Sequence, residues 1–484
     1  MMAGLDASRW RRRPTVLLLA VLLAAVWYYG LVIRPRGAAV PQLPPHTLTQ
    51  NLDHLRKHVQ TPQFTYAQRM IRAKSFIGER PDLTVVDDEP LFPDAEVLAK
   101  TGDAIDKATG GSHRSRAPIP FLPPLEVLVP ESPNVNTSII SFGVATPVSR
   151  LKEASTQFVH WLKGSGSPMH IVSPPDDKTD EMQSYMRNLG IDATIETSKI
   201  RYPLAYFSLI KRLYENRQPH TKWLALIDDD TFLPSLPSLV EHLSTTYNAE
   251  KQTMVSAMSD NVEQIQTWGV QAFGGGGIFI SVPLAARLTR PEIWDKCIDN
   301  AKGRSQGDQI ISRCVNTFTD IRPMFDASLH QMDILGPGET PSGYFESGRR
   351  MLTVHHWRTW FKVDIPQSLK VSKACGAEGL FQRWSFPKSN MVLSNGYSIA
   401  EYPKGLDEID FAAVEKTWQG EEANFLHKIG PLRKAVGREK MSYRLVASEV
   451  VDKWYVRQTY LYRGDKFGGE EQEMDEVLEL LWLF

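Results

Sequence analysis

The chain has 484 residues, 42% of them hydrophobic and 23% charged, with a formal net charge of −1. Such a length suits about two to four domains, or one large α/β domain with attachments. The balanced charge argues against a nucleic-acid binder, which would carry a basic excess. The 20 Phe, 15 Tyr and 12 Trp argue against a solvating acidic chain and allow a sizeable core. With three cysteines (Cys297, Cys314 and Cys375) and no C-x-x-C spacing, a disulfide scaffold is excluded and a cysteine zinc site disfavoured.

Residues 15–33, TVLLLAVLLAAVWYYGLVI, carry no charge and would make roughly 30 Å of helix. Arg9, Arg11, Arg12 and Arg13 precede the run, and Arg34 and Arg36 follow it. That bias favours a cytoplasmic N-terminus. A cleaved signal peptide is the competing reading. The run is longer than a usual signal core, however, and ends in Trp27, Tyr28 and Tyr29, where small residues would be expected. The expectation is a retained anchor: tail 1–14, transmembrane helix 15–33, and the remainder outside the cytoplasm as a single-pass type II protein. Residues 34–133 are rich in proline and read as an extended stem, with a short helix near 51–76. Asn136-Thr137-Ser138 is an N-glycosylation acceptor pattern beside a strand. Cys297 and Cys314 can pair in an oxidising lumen, leaving Cys375 free.

After the stem the pattern changes. Residues 138–145, 169–172, 193–195 and 223–227 are short apolar runs that read as strands. Between them, residues 151–162 and 203–216 carry apolar residues at helical spacing, with Pro203 in a first-turn position. Continuous apolar strands alternating with helices indicate a Rossmann-like, mostly parallel sheet flanked by helices. The catalytic domain is expected over 134–365, and a mainly-β extension over 366–484. In that extension Ser394-Asn395-Gly396-Tyr397 marks a hairpin, and the apolar C-terminal end is too short for a second anchor.

Asp228, Asp229 and Asp230 end the strand 223–227. Ligand sites of open α/β sheets lie outside the carboxyl ends of strands. Carboxylates there can hold a divalent cation. Alternate residues of an extended segment project the same way, so Asp228 and Asp230 form a D-x-D pair. A solvated loop or helix cap is the bland alternative. An aspartyl-phosphatase motif is disfavoured because Phe232 stands where Thr or Val would be needed. Gly274, Gly275, Gly276 and Gly277 precede an apolar strand, unlike a Rossmann fingerprint, which opens a helix. Their run permits close backbone approach, at a loop or a ligand. Asp308 stands at a helix start, as a cap or first-turn residue. His355 and His356 follow a β-type run. Imidazole suits Mn²⁺ better than Mg²⁺, and strand alternation lets one of the two reach a metal.

Four segments in order, SFGVATPVSRLKEASTQFVHWL, KWLALIDDDTFL, FGGGGIFIS and LTVHHWRTW, resemble the Fringe-like β-1,3-glycosyltransferase superfamily. Its fungal type II membrane members look closest. The resemblance covers residues 138–361 and implies a glycosyltransferase-A fold. It implies Asp228 and Asp230, with His355 or His356, as ligands of Mn²⁺ or another divalent cation. Asp308 takes the place of the catalytic base, although Gly307 stands where that family commonly has a second Asp. Gly274–Gly277 would form a wall beside donor or acceptor. Thr146, Pro147, Arg150 and Asp229 fall in the donor pocket, and Trp357 and Trp360 could stack on a sugar.

The expected function is an inverting, metal-dependent glycosyltransferase of the Golgi or endoplasmic reticulum membrane. It would move a sugar from a nucleotide-sugar donor, expected to be a uridine diphosphate sugar, to a glycan or glycoprotein acceptor. The alternative is a non-catalytic, membrane-tethered carbohydrate-binding protein on a transferase-like fold. The role of the extension, the sugar and the linkage are not set by the sequence.

Overall fold

The computed structural model describes residues 54–92 apart from 56, 62 and 63, and 123–484 apart from 304–305, 335–342 and 464–474. The expected anchor at 15–33 and much of the expected stem lie outside the described residues. Among the described residues no helix is long and apolar enough to cross a membrane.

Two sheets organise the chain. The first has seven strands in the order Met324–Phe325, Met254–Ala257, Phe273–Ser281, Trp223–Ile227, Ile140–Ala145, Met169–Ser173 and Ala193–Thr197. Phe273–Ser281 runs antiparallel to both neighbours, and the other pairs are parallel. The sheet is thus mixed through one antiparallel strand, and its other pairs follow the mostly parallel expectation. Its central strand shows why both faces must be covered. Trp223, Ala225 and Ile227 point into one core with Leu151, Phe158 and Leu239. Leu224 and Leu226 point into the other, with Phe207, Leu209, Leu213 and Ile311. The period of two along the strand meets helices Val148–Leu162 and Leu236–Thr246 on one side and Tyr202–Glu215 and Gly307–Phe318 on the other. Cys297 and Cys314 form a disulfide between helices Pro291–Asn300 and Gly307–Phe318, and Cys375 is free and buried.

The second sheet has nine strands and corrects the stem reading. Phe64–Phe76 is a 13-residue strand, not a helix, and lies parallel between Asp475–Leu483 and Leu125–Pro130. The extension supplies most of the rest, including the expected hairpin, with Met391–Ser394 paired to Ser398–Glu401. Glu479 is fully buried inside this sheet. Its carboxylate accepts hydrogen bonds from Tyr66 (2.7 Å) and Thr459 (2.8 Å) and pairs with His54 (2.8 Å). The N-terminal segment is therefore tied to the last strand of the chain by polar contacts as well as by strand pairing.

The edge of the first sheet is fastened by Asp326. Its carboxylate takes His242 (2.5 Å), the Tyr247 hydroxyl (2.8 Å) and the Ser328 amide (2.8 Å). Burial alone would raise this carboxyl, but those partners hold it down to about 2. A folded value below the unfolded one of about 3.9 stabilises the fold by about 2 kcal/mol. The sign follows: the contribution is present above about pH 4 and is lost as the pH falls toward about 2. Asp326→Asn should lower the melting temperature at pH 6.5, with a smaller deficit at pH 3. An equal deficit at both values would show that the charge is not what stabilises.

Candidate functional site

The Trp223–Ile227 strand is buried along its whole length, so the chain can take on charge only where the sheet ends. There Asp228-Asp229-Asp230 forms a tight turn, closed by the Thr231 amide donating to the Asp228 carbonyl (3.1 Å). The Thr231 hydroxyl accepts from the Asp228 amide (2.9 Å) and donates to the Gly275 carbonyl (2.7 Å). The strand ends at Ile227, as the sequence indicates. Phe232 makes an isolated bridge to Val354.

The turn separates the three carboxylates. Asp229 accepts from the Thr146 hydroxyl (2.5 Å) and pairs with Arg150 (2.6 Å), and Gln157 holds its carbonyl (2.6 Å). Thr146 and Arg150, placed by resemblance in a donor pocket, are thus joined to Asp229. Pro147 is exposed at the start of helix Val148–Leu162. Asp228 and Asp230 face His355, whose Nε2 lies 3.5 and 3.1 Å from them.

His355 and His356 part company, but not by strand alternation. His356 has φ 52°, a left-handed backbone, and its Nδ1 lies 3.0 Å from Asp333. The two imidazoles are 3.9 Å apart, and Trp360 stacks on His356 at 5.2 Å. Trp357 is buried at 4% exposure, with the Arg358 guanidinium 4.6 Å from its ring. It packs in the core beside Phe232 and Val354. Asn136 is exposed, its Oδ1 accepting from the amide and hydroxyl of Ser138.

One ligand atom from each of Asp228, Asp230 and His355 falls within 4.8 Å of the others. Two carboxylates and an imidazole are a donor set suited to Mn²⁺. Among the described residues the Asp228 carboxylate accepts no hydrogen bond, so only His355 offsets its charge. Burial pushes Asp228 up to about 7, Asp230 and Asp308 add to the rise, and His355 opposes it. Asp230 behaves oppositely. Burial would raise it, but the hydrogen bond and charge of His355 hold it down to about 2. The same carboxylates raise His355 against the effect of its burial. A divalent cation would remove the repulsion that leaves Asp228 unsettled, so the residues fit one.

Beside this trio runs the glycine segment, and it lies inside the Phe273–Ser281 strand, not before it. The register against the neighbouring strand jumps from Ser256↔Ile278 to Ala257↔Phe273, so Gly274–Gly277 bulge out of the ladder. The Gly276 amide donates to Gln331 (2.7 Å) and its carbonyl accepts from Thr353 (2.6 Å), which fixes the bulge. A Cβ on Gly275 would sit 2.1–2.4 Å from three atoms of the His355 ring. The imidazole therefore occupies the space that only glycine leaves.

Asp308 stands in the first turn of helix Gly307–Phe318. Its Oδ2 accepts from the Gly274 amide (3.1 Å) and its Oδ1 from the Gln309 amide (2.7 Å). Burial raises its carboxyl, and the two amides oppose the rise. Tyr202 and Tyr206, one helical turn apart with rings 6.4 Å from each other, were not picked out from the sequence as site residues. Tyr206 packs against Gly274 and Gly307. Tyr202 is 48% exposed, and the charges of Asp228, Asp308 and Asp229 all act on it. Their i, i+4 spacing reads equally well as core, which is why sequence did not distinguish them. Asp333 was likewise missed as the partner of His356.

A family model described as a protein of unknown function, DUF604, matches residues 264–359, the stretch that carries the glycine bulge, Asp308 and both histidines. Among curated proteins none matches the chain significantly. Three solved structures are similar at low identity. Mouse xyloside xylosyltransferase 1 in its apo form has a TM-score of 0.31 and 11% identity, covering 44% of this chain and 96% of that one. The galactosyltransferase LgtC in complex with donor and acceptor sugar analogs has a TM-score of 0.31 and 10% identity, covering 49% and 92%. The glycosyltransferase GlyE of Streptococcus pneumoniae TIGR4 has a TM-score of 0.30 and 10% identity, covering 47% and 58%. Likeness of this extent carries no argument about activity, which has to come from the site.

The packing of His355 on Gly275 has a direct consequence. Gly275→Ala should displace the imidazole from the two carboxylates and weaken Mn²⁺ binding at least about tenfold, as expected when a ligand's support is lost. Titration calorimetry with Mn²⁺, alongside a melting curve, checks this. Wild-type affinity in a folded variant would mean that His355 is not a ligand.

Proposed function

We propose that the protein is a metal-dependent glycosyltransferase of glycosyltransferase-A type that uses a nucleotide-sugar donor, expected to be a uridine diphosphate sugar. The observation that carries this reading is the convergence of Asp228, Asp230 and His355 with the Asp308 carboxylate across the glycine bulge. Asp228, Asp230 and His355 would hold the cation. When bound, such a cation supplies positive charge to a donor diphosphate. The open backbone of the glycine bulge lets a sugar approach closely. Asp308 is the general base: it takes the proton of the acceptor hydroxyl as that oxygen attacks the anomeric carbon, and the bond from that carbon to the donor's diphosphate oxygen breaks, the nucleoside diphosphate leaving with the electron pair. Attack by the acceptor oxygen from the face opposite the leaving diphosphate would make the transfer inverting. The raised pKa of Asp308 strengthens it as a base, and the Gly274 amide keeps it aimed. Asp229, with Thr146 and Arg150, stiffens the turn that presents the other two carboxylates.

We further propose a single-pass type II arrangement in the Golgi or endoplasmic reticulum membrane, with Fringe-like proteins as relatives. The uncharged run at 15–33 with its arginine flank supports this. So does the Cys297–Cys314 disulfide, since such bonds persist in oxidising compartments. Asn136, exposed at its acceptor triplet, is a modification site in that setting.

A panel of nucleotide sugars offered with Mn²⁺ should reveal one donor that is hydrolysed slowly alone and transferred with an acceptor. If no donor reacts, the non-catalytic carbohydrate-binding alternative stands instead. With the donor in hand, Asp308→Asn should cut the transfer rate by about 10²–10⁴ while donor affinity stays near wild type. Asn preserves the shape and one hydrogen-bond acceptor, so a wild-type transfer rate would place the base elsewhere.

A further inference from the structure

The extension and the site-bearing segment meet at an open cleft of about 530 Å³. One wall is the stretch that follows His355 and His356, carrying Arg358 and Lys362. The other is the extension, with Arg444 on a strand of its sheet and Tyr397 in the hairpin turn. Glu153, from the helix whose first turn holds Asp229, closes one end.

The charges in this cleft are unevenly matched. Arg358 pairs with Glu153 (3.5 Å) and lies over the Trp357 ring (4.6 Å). Asp364, which also lines the cleft, caps its own short helix by accepting from the Gln367 amide (3.1 Å). Lys362 and Arg444 have no carboxylate partner among the described residues. Lys362 is exposed. Arg444 is half-buried, its guanidinium 4.4 Å from the centre of the buried Tyr397 ring. A guanidinium held over an aromatic ring loses rotational freedom but keeps N–H donors for another partner. That is the pre-organised state for a bidentate bond to an oxyanion. A second cation on the facing wall can take the same anion.

We propose that this cleft binds an anionic group of a saccharide chain, a carboxylate or a sulfate, on Arg444 and Lys362. The extension is thereby part of the acceptor site. Calling the saccharide an acceptor rests on the glycosyltransferase reading; the anion site itself does not. Trp357, which lines the cleft, stands two residues after His355 of the metal trio, so the cleft and the trio are built on one continuous segment. The size of the cleft suits about one sugar ring with its substituents, within the range of ordinary ligand pockets.

The test uses the full-length protein and three tetrasaccharides of equal length: an oligogalacturonate, a heparin-derived sulfated fragment and uncharged cellotetraose. At low salt at least one acidic tetrasaccharide should bind ten or more times tighter than cellotetraose. The advantage should shrink as salt rises, because screening acts on exposed charges. The two acidic arms tell carboxylate from sulfate. Arg444→Gln and Lys362→Gln should each reduce that binding at least threefold, and Mn²⁺ affinity should not move. Lys362 is exposed, so its variant keeps the test alive if Arg444→Gln fails to fold. Equal binding of cellotetraose, or unchanged acidic binding in a folded Lys362→Gln, would overturn the proposal. So would displacement of the bound tetrasaccharide by uridine diphosphate, since the cleft would then be a donor site. If acidic binding follows these residues but no nucleotide sugar ever reacts, the anion site stands and the transferase reading falls.

Discussion

The site depends on one steric constraint: an imidazole lying where a side chain at Gly275 would be. His355 can face the half-buried Asp228 and the buried Asp230 only because the neighbouring strand gives up its Cβ there. The strand in turn can spare it only because it bulges, and the bulge is held at Gly276 from both sides by Gln331 and Thr353. Everything else at the site adjusts to that seat. The Thr231 hydroxyl ties the aspartate turn to the Gly275 carbonyl, so turn and bulge are positioned by the same peptide. Asp308 accepts from the preceding amide, Gly274. Carboxylates from two distant parts of the chain are therefore referenced to adjacent residues of one strand.

The extension supports this arrangement from behind. Lys428, nearly buried, donates to the carbonyls of Met258 and Leu329 (2.6 Å each) and pairs with Asp260 at 3.3 Å. Asp260 accepts from the Met332 amide (2.6 Å), and Met332 has φ 61°. A non-glycine residue holds that backbone conformation only where its surroundings over-determine it. One residue on, Asp333 meets His356 and the Ser259 hydroxyl. A buried lysine would be costly alone, but here its donors are all met. The loop carrying Gln331 and Asp333 is thus framed by a charge that the extension delivers. Removing the extension would leave Asp260 buried without its cation, so the two parts are better regarded as one functional body than as a catalytic domain with a dispensable tail.

Much of the first sheet was legible because its strands are buried on both faces. Runs such as Trp223–Ile227 announce themselves by being wholly apolar, and helix Tyr202–Glu215 by its stripe and its early proline. Phe64–Phe76 was not legible. It carries Gln68, Arg69, Arg72 and Lys74, and its partner strand Asp475–Leu483 lies about 400 residues away. Parallel pairing at that separation leaves no local trace, and Arg69 is tolerated because it finds Glu89. The glycines were recognised as a run preceding a strand, with a loop or a wall beside donor or acceptor as the two readings, since four consecutive glycines carry no strand signal of their own. Their strand character comes from neighbours on either side.

The aspartate triplet shows how far residue type reaches and where geometry takes over. Three adjacent carboxylates at a strand end point to a cation, but not to which of them face it. An extended chain and a tight turn both send the first and third together and the second apart, so the D-x-D pairing survives although its stated reason does not hold. What the sequence could not supply was the task of the middle residue. Asp229 is spent on Thr146, Arg150 and, through its carbonyl, Gln157. These three belong to the segment that runs from the first strand into helix Val148–Leu162. A turn of three like charges would otherwise spring open by repulsion. Neutralising the central one from outside lets the other two stay close enough to converge on His355.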